Sequence, residues 1–201
     1  MDLTEHDPIR FLQIEYNRLQ SEVETLQKQV SSLRQVINAL RDLQEVPSLI
    51  TENTEPFTLV ESILKAALIC VSADNGSLAL FDHESEELVF VVVHGEVSAL
   101  VNFRQPISDG IGGWVVRHGE PVRLANARTD ERFSPTVDER FGFITRSLLC
   151  VPLSYSERVY GVLYAINKAD GSEFNSDDTS LLMVVAGLAA RALAKAESSA
   201  P

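Results

Sequence analysis

The sequence predicts an α+β domain preceded by a long coiled-coil helix, and three observations carry that prediction. Apolar residues recur in a strict two-in-seven pattern over the first forty-odd positions. The remainder changes period, from a helical face to short β-rich runs and back to a helical closing segment. The β-rich runs that follow directly on one another are joined by short polar turns, which favours antiparallel pairing with the helices segregated from the strands.

The first element is the rod. Ile9, Tyr16, Val23, Val30 and Ile37 fall seven apart, and Leu12, Leu19, Leu26, Leu33 and Leu40 follow each of them by three. This is an a/d seam with polar or charged residues between. β-branched residues dominate at a and Leu fills every d, which favours two parallel strands. The predicted interface of a parallel homodimer is therefore these ten residues. Phe11 and Ile14 lie outside it. A single amphipathic helix folded back on its own domain is the competing reading, but such helices carry a broader apolar stripe. Asp7 can cap the first turn and Pro8 suits the first helical position. No Gly or Pro follows until Pro47, where the helix is expected to end or kink. The seam spans ~47 Å at helical rise. The organisation expected is a coiled coil over 1–46, a linker over 47–56, a folded domain over 57–197 and a disordered tail over 198–201.

Composition narrows the partners. The 201 residues carry a net charge of −12, and 45% are hydrophobic, so the chain folds. Residues 9–46 hold five basic and five acidic side chains, which places most of the acidity on the domain. An acidic surface argues against nucleic acid and anionic membranes. The longest apolar run, Leu181 to Ala190, is too short to span a bilayer, and no secretory signal precedes the rod, so a cytoplasmic location is expected. Cys70 and Cys150 lie in apolar stretches and read as buried, reduced thiols.

Within the domain, 57–71 has its apolar residues on one helical face. The runs 77–81 and 88–93 form a hairpin about the polar turn 83–86. A third strand is expected at 104–107, a short helix at 111–118 and a fourth strand at 121–124. The stretch 130–146 has no steady period and is expected to be a long loop with one short helix. Strands follow at 147–154 and 160–166, and a helix at 177–195 with Asn175 or Ser176 as its cap. The first and last domain helices should share one face of the sheet.

Several spaced motifs resemble one family. Asp109-Gly110-Ile111-Gly112-Gly113-Trp114-Val115-Val116, Arg146 to Leu153, Tyr160-Gly161-Val162-Leu163 and Asn167-Lys168, then Gly171, Phe174 and Asp178, are similar to the GAF domain pattern. The resemblance covers about 57–197 and implies a GAF-type antiparallel sheet. Members bind cyclic nucleotides, linear tetrapyrroles, haem, iron or small metabolites, and many bind no known ligand. The cyclic-nucleotide subtype is matched at Asn167, Lys168, Phe174 and Asp178, but Thr179 stands where an acidic residue would follow. Lys168 paired with Asp178 would tie the last strand to the closing helix. The lid region holds no Cys for a bilin, and the two cysteines do not suit the thiol chemistry of the related free methionine sulfoxide reductases.

A pocket is expected between the sheet and 121–146. Its candidate ligand-binding residues are Trp114, Asn126, Asp130, Arg132, Phe141, Phe143, Arg146, Tyr164, Asn167, Lys168 and Asp178, with arginines for anionic groups and aromatic rings for planar ones. His94 and His118 are the histidines near this region, at a spacing that suits no common metal site. No catalytic set, metal site or cofactor is expected. The function predicted is a dimeric regulatory module that senses a small planar or anionic ligand and relays it through dimer geometry or a signalling protein partner. The alternative is a ligand-free interaction scaffold.

Overall fold

The structure, a computed structural model, describes residues 8–49 and 56–198. Helix α1 (Pro8–Leu49) starts on its proline and runs two residues beyond Pro47. The expected break at Pro47 thus falls inside the last turn, where a missing N–H forfeits one bond close to the helix end. The proposed Asp7 cap lies outside the described residues. By compactness the chain divides between Asn38 and Ala39. Ile9, Leu12, Tyr16, Leu19, Val23, Leu26, Val30 and Ile37 are all exposed, at 47–67%, as are Phe11 and Ile14. The side chains of Leu33 and Leu40 lie outside the described residues.

The second unit begins its described domain with α2 (Pro56–Val71), followed by β1 (Ala73–Asp82) and β2 (Glu87–His94). Next come β3 (Arg104–Pro106), α3 (Gly110–His118), β4 (Val122–Leu124) and α4 (Thr136–Phe141). The chain closes with β5 (Leu148–Tyr155), β6 (Arg158–Lys168) and α5 (Ser176–Ser198). The six strands form one curled antiparallel sheet in the order β3-β2-β1-β6-β5-β4. The hairpins are local, whereas the central β1–β6 pairing joins strands far apart in sequence. That long-range ladder explains why β1 starts at Ala73 and not at Ser77: the polar stretch 73–76 has no β pattern of its own and is held against Ala165, Ile166 and Lys168. A bulge between Leu78 and Ala79 adjusts β1 against β2.

Strand alternation divides the core in two. Ala79, Phe90, Leu148, Cys150, Val162 and Tyr164 face a cluster completed by Ile111, Val115 and Val116 of α3, by Val122 and by Ala127. The intervening Leu149, Val151, Leu153, Leu163 and Ala165 are buried towards α2 and α5, which share the other face as expected. On that side Ile63, Leu64, Ala67 and Val71 of α2 are buried, as are Leu182, Val185, Ala186, Ala189 and Ala190 of α5. Over its full length α5 is long and apolar enough to cross a membrane by composition, although the Leu181–Ala190 run alone is too short. Its apolarity is used in packing on β5 and α2. Asn175 caps α5, its Oδ1 accepting from the N–H groups of Asp177 at 2.7 Å and Asp178 at 3.0 Å. Helix α5 reaches Ser198, and the rest of the expected tail, 199–201, lies outside the described residues.

Candidate ligand cleft and polar groove

On the α3/α4 side of the sheet the chain leaves a largely apolar cleft of about 80 Å³. Its floor comes from β1, β2 and β6 and its roof from the start of α3, from α4 and from the segment leading into β5. Ser77 faces it from β1, and Phe90, Leu148 and Tyr164 supply apolar surface. Ser77 is 2% exposed, and its hydroxyl oxygen has no hydrogen-bond partner among the described residues. A buried hydroxyl in that state costs about 1–3 kcal/mol unless a ligand or water meets it. Phe90 stacks on Tyr164 with ring centroids 6.0 Å apart. The Tyr164 hydroxyl reaches the Gly112 N–H and the Cys150 thiol, and burial pushes both Tyr164 and Cys150 well above their ordinary pKa values.

The roof is latched by Asp138, an almost fully buried carboxylate on α4. Its Oδ2 accepts from the Thr145 N–H and from Arg128, each at 2.9 Å, and its Oδ1 accepts from the Thr145 hydroxyl at 2.7 Å. One residue thereby joins α4, the 127–129 turn and the approach to β5. Gln105, Asp138, Thr145 and His94 line the cleft, none of them among the candidates read from the sequence. The one available signal was Ser77, a hydroxyl residue at the first position of the 77–81 run. The others depend on which loops the fold brings over the sheet.

The eleven candidate residues fall into separate places. Phe143 and Tyr164 line the cleft. Asn126, Arg146, Asn167 and Lys168 line a different, polar groove of about 330 Å³ at the end of β5 and β6. Asp178 closes the ion pair with Lys168 at 2.8 Å, with both side chains about nine-tenths buried, and its Oδ2 also accepts from the Asn175 N–H at 2.8 Å. This ties β6 to the start of α5, the geometry expected from the motif. Gly171 makes the connecting turn with φ +74°, a left-handed conformation that suits glycine. Trp114, Asp130 and Arg132 gather in a third place. Arg132 lies 4.7 Å over the Trp114 ring, which stacks on His118 at 4.1 Å. Arg132 also holds Asp130 through two bonds of 2.8 Å, which keep the Asp130 carboxyl below its usual range. Phe141 packs edge-on against Phe103 at 5.8 Å. No cluster of metal-binding side chains occurs among the described residues.

A six-stranded antiparallel sheet with two helices on one face and a roofed cleft on the other is the mixed architecture of the GAF fold. The GAF domain model matches residues 55–193, and the chain belongs to the GAF domain family. It is similar to the dual 3',5'-cyclic-AMP and -GMP phosphodiesterase 11A of Takifugu rubripes, at 34% identity over 146 residues, which is 67% of this chain and 16% of that protein. The shared part is the GAF region. Among solved structures, the GAF domain of an Acinetobacter phosphoenolpyruvate-protein phosphotransferase aligns over 81% of this chain and 95% of its own, with TM-score 0.66 and 24% identity. The GAF-B domain of DevS from Mycobacterium smegmatis aligns over 72% and 96%, with TM-score 0.58 and 26% identity.

Proposed function

We propose that this chain is a dimeric regulatory module of the cytoplasm, joined through the α1 seam, in which the roofed cleft binds a small ligand. Occupancy is relayed through dimer geometry or to a docked protein partner. The observation that carries the ligand half is Ser77, a buried hydroxyl without a partner among the described residues on the wall of the cleft. The similarity to the GAF region of a cyclic-nucleotide phosphodiesterase makes cyclic nucleotides the first compounds to test. The net charge of −12 favours small molecules and proteins over nucleic acid.

Thermal-shift screening with cyclic mono- and dinucleotides is the test. A ligand at a hundredfold excess over its dissociation constant stabilises the fold by about 2.7 kcal/mol. Ser77→Ala should raise the stability of the free protein, by up to about 1–3 kcal/mol, since it removes a buried hydroxyl that has no partner among the described residues, and should weaken the ligand by about fivefold, the value of one hydrogen bond. Size favours a second reading. A cleft of about 80 Å³ is smaller than the ~300 Å³ at which small-molecule sites begin, so a nucleotide must displace α4 to enter. Flat responses to every nucleotide, with no compound co-purifying by mass spectrometry, would make the domain a ligand-free interaction scaffold.

A further inference from the structure

We propose that the polar groove at the end of β5 and β6 is a second binding site, for a small zwitterion of the free amino-acid type, with its carboxylate towards Arg146 and Ser147 and its ammonium towards Glu173. The groove, about 330 Å³, is within the range of small-molecule sites. Its wall is firmly built. The Arg146 N–H donates to Asn167 Oδ1 at 2.8 Å, the Asn167 amide donates to the Ile144 carbonyl at 2.9 Å, and the Arg146 carbonyl accepts from the Ala127 N–H at 2.7 Å.

On that wall the side-chain chemistry is left open. Arg104, Arg128, Arg132 and Arg158 each hold a carboxylate, whereas the Arg146 guanidinium has no partner among the described residues. Ser147 is 6% exposed and lines the groove, yet its hydroxyl makes no hydrogen bond among the described residues. Asn126 uses its Oδ1 on the Arg128 N–H and has its amide donors free. Lys168 is already neutralised by Asp178. Glu173 lines the same groove without an ion pair among the described residues, and the next residue is fixed by Arg123, which donates to the Phe174 carbonyl at 2.9 Å. Arg146 and Glu173 thus line one groove together with neutral donors, and neither makes an ion pair among the described residues. A carboxylate suits a guanidinium bidentately, and an ammonium suits the acidic side chain. A phosphate would meet Glu173, and a simple cation would meet Arg146. The complementary charge pattern is a zwitterion. This site stands apart from the cleft, so a cleft silent to nucleotides leaves it untouched.

The test is calorimetry and amide NMR on the full chain with the twenty standard L-amino acids at millimolar concentration, and with acetate, methylamine and inorganic phosphate as controls. At least one amino acid should bind and move the amide signals of Asn126, Arg146, Ser147 and Glu173. Arg146→Ala and Glu173→Gln alter exposed side chains, so both should keep the wild-type melting temperature. Each should weaken the amino acid by about tenfold or more, the cost of a charge-assisted contact. Arg146→Lys should recover part of the loss. The proposal is overturned if no amino acid moves those signals, if acetate or phosphate binds as well as the best amino acid, or if both substitutions leave affinity unchanged.

Discussion

Gly112 sits where an added Cβ would fall 1.9 Å from the Tyr164 hydroxyl oxygen and 2.8 Å from Leu88. Neither neighbour can yield cheaply in a packed interior, so Gly112→Ala should destabilise the domain by about 1–3 kcal/mol in urea unfolding. An unchanged midpoint would show that Tyr164 can move away. The thiols make a second residue-scale test. Burial pushes the Cys70 thiol up to about 11 and the Cys150 thiol well above its ordinary value, so neither is a thiolate near neutrality. A thiol reagent should label both only after unfolding, and rapid labelling of the native protein would contradict their placement. Asp82 behaves in the opposite sense. Its bond to Arg104 lowers its carboxyl from 3.8 to about 2, so its contribution is present above the unfolded value and is lost as pH falls through about 2. The stability difference between wild type and Asp82→Asn should be visible at neutral pH and vanish in strong acid. A difference independent of pH would show that the charge is not what matters.

At the scale of elements, the Lys168–Asp178 pair joins β6 to α5 and doubles as part of the α5 cap. With both partners about nine-tenths buried, Asp178→Ala strands an unpaired ammonium and should cost about 3–5 kcal/mol by denaturant unfolding. A loss below 1 kcal/mol would mean that water reaches Lys168 easily. This tie was legible because Asn-Lys, a glycine turn, Phe and Asp lie close in sequence. The Asp138 latch was not, although Arg128, Asp138 and Thr145 are also near one another. Nothing in the irregular 130–146 stretch distinguishes a solvated aspartate from one that bonds a backbone N–H, a hydroxyl and a guanidinium at once.

For the whole molecule, the uncovered seam of α1 is the feature that bears on assembly. Exposed apolar residues at a and d positions gain by burial against a second copy. Sedimentation at micromolar concentration should give a dimer. Charged replacements at Leu26 and Leu33 together should part the rod, because unpaired charge in a seam costs several kcal/mol. A monomeric wild-type chain would remove the dimer from the functional reading.

The sequence by itself determined the long helix, the number and order of strands, the closing helix and the family, because each is written in short-range periodicity or in motifs a few residues long. It also offered Asp178 as a partner for Lys168, and the structure closes that pair. Only the tertiary structure decided where the polar candidates go. Arg132 turns to Asp130 and Trp114, Arg128 to Asp138, and Arg146 to the groove outside the cleft. Polar groups on the cleft wall come instead from Ser77, Gln105 and Thr145, in three distant segments. The reason is physical: which face a strand presents follows from local alternation, but which loop roofs that face follows from the long-range β1–β6 ladder and the helices packed behind it.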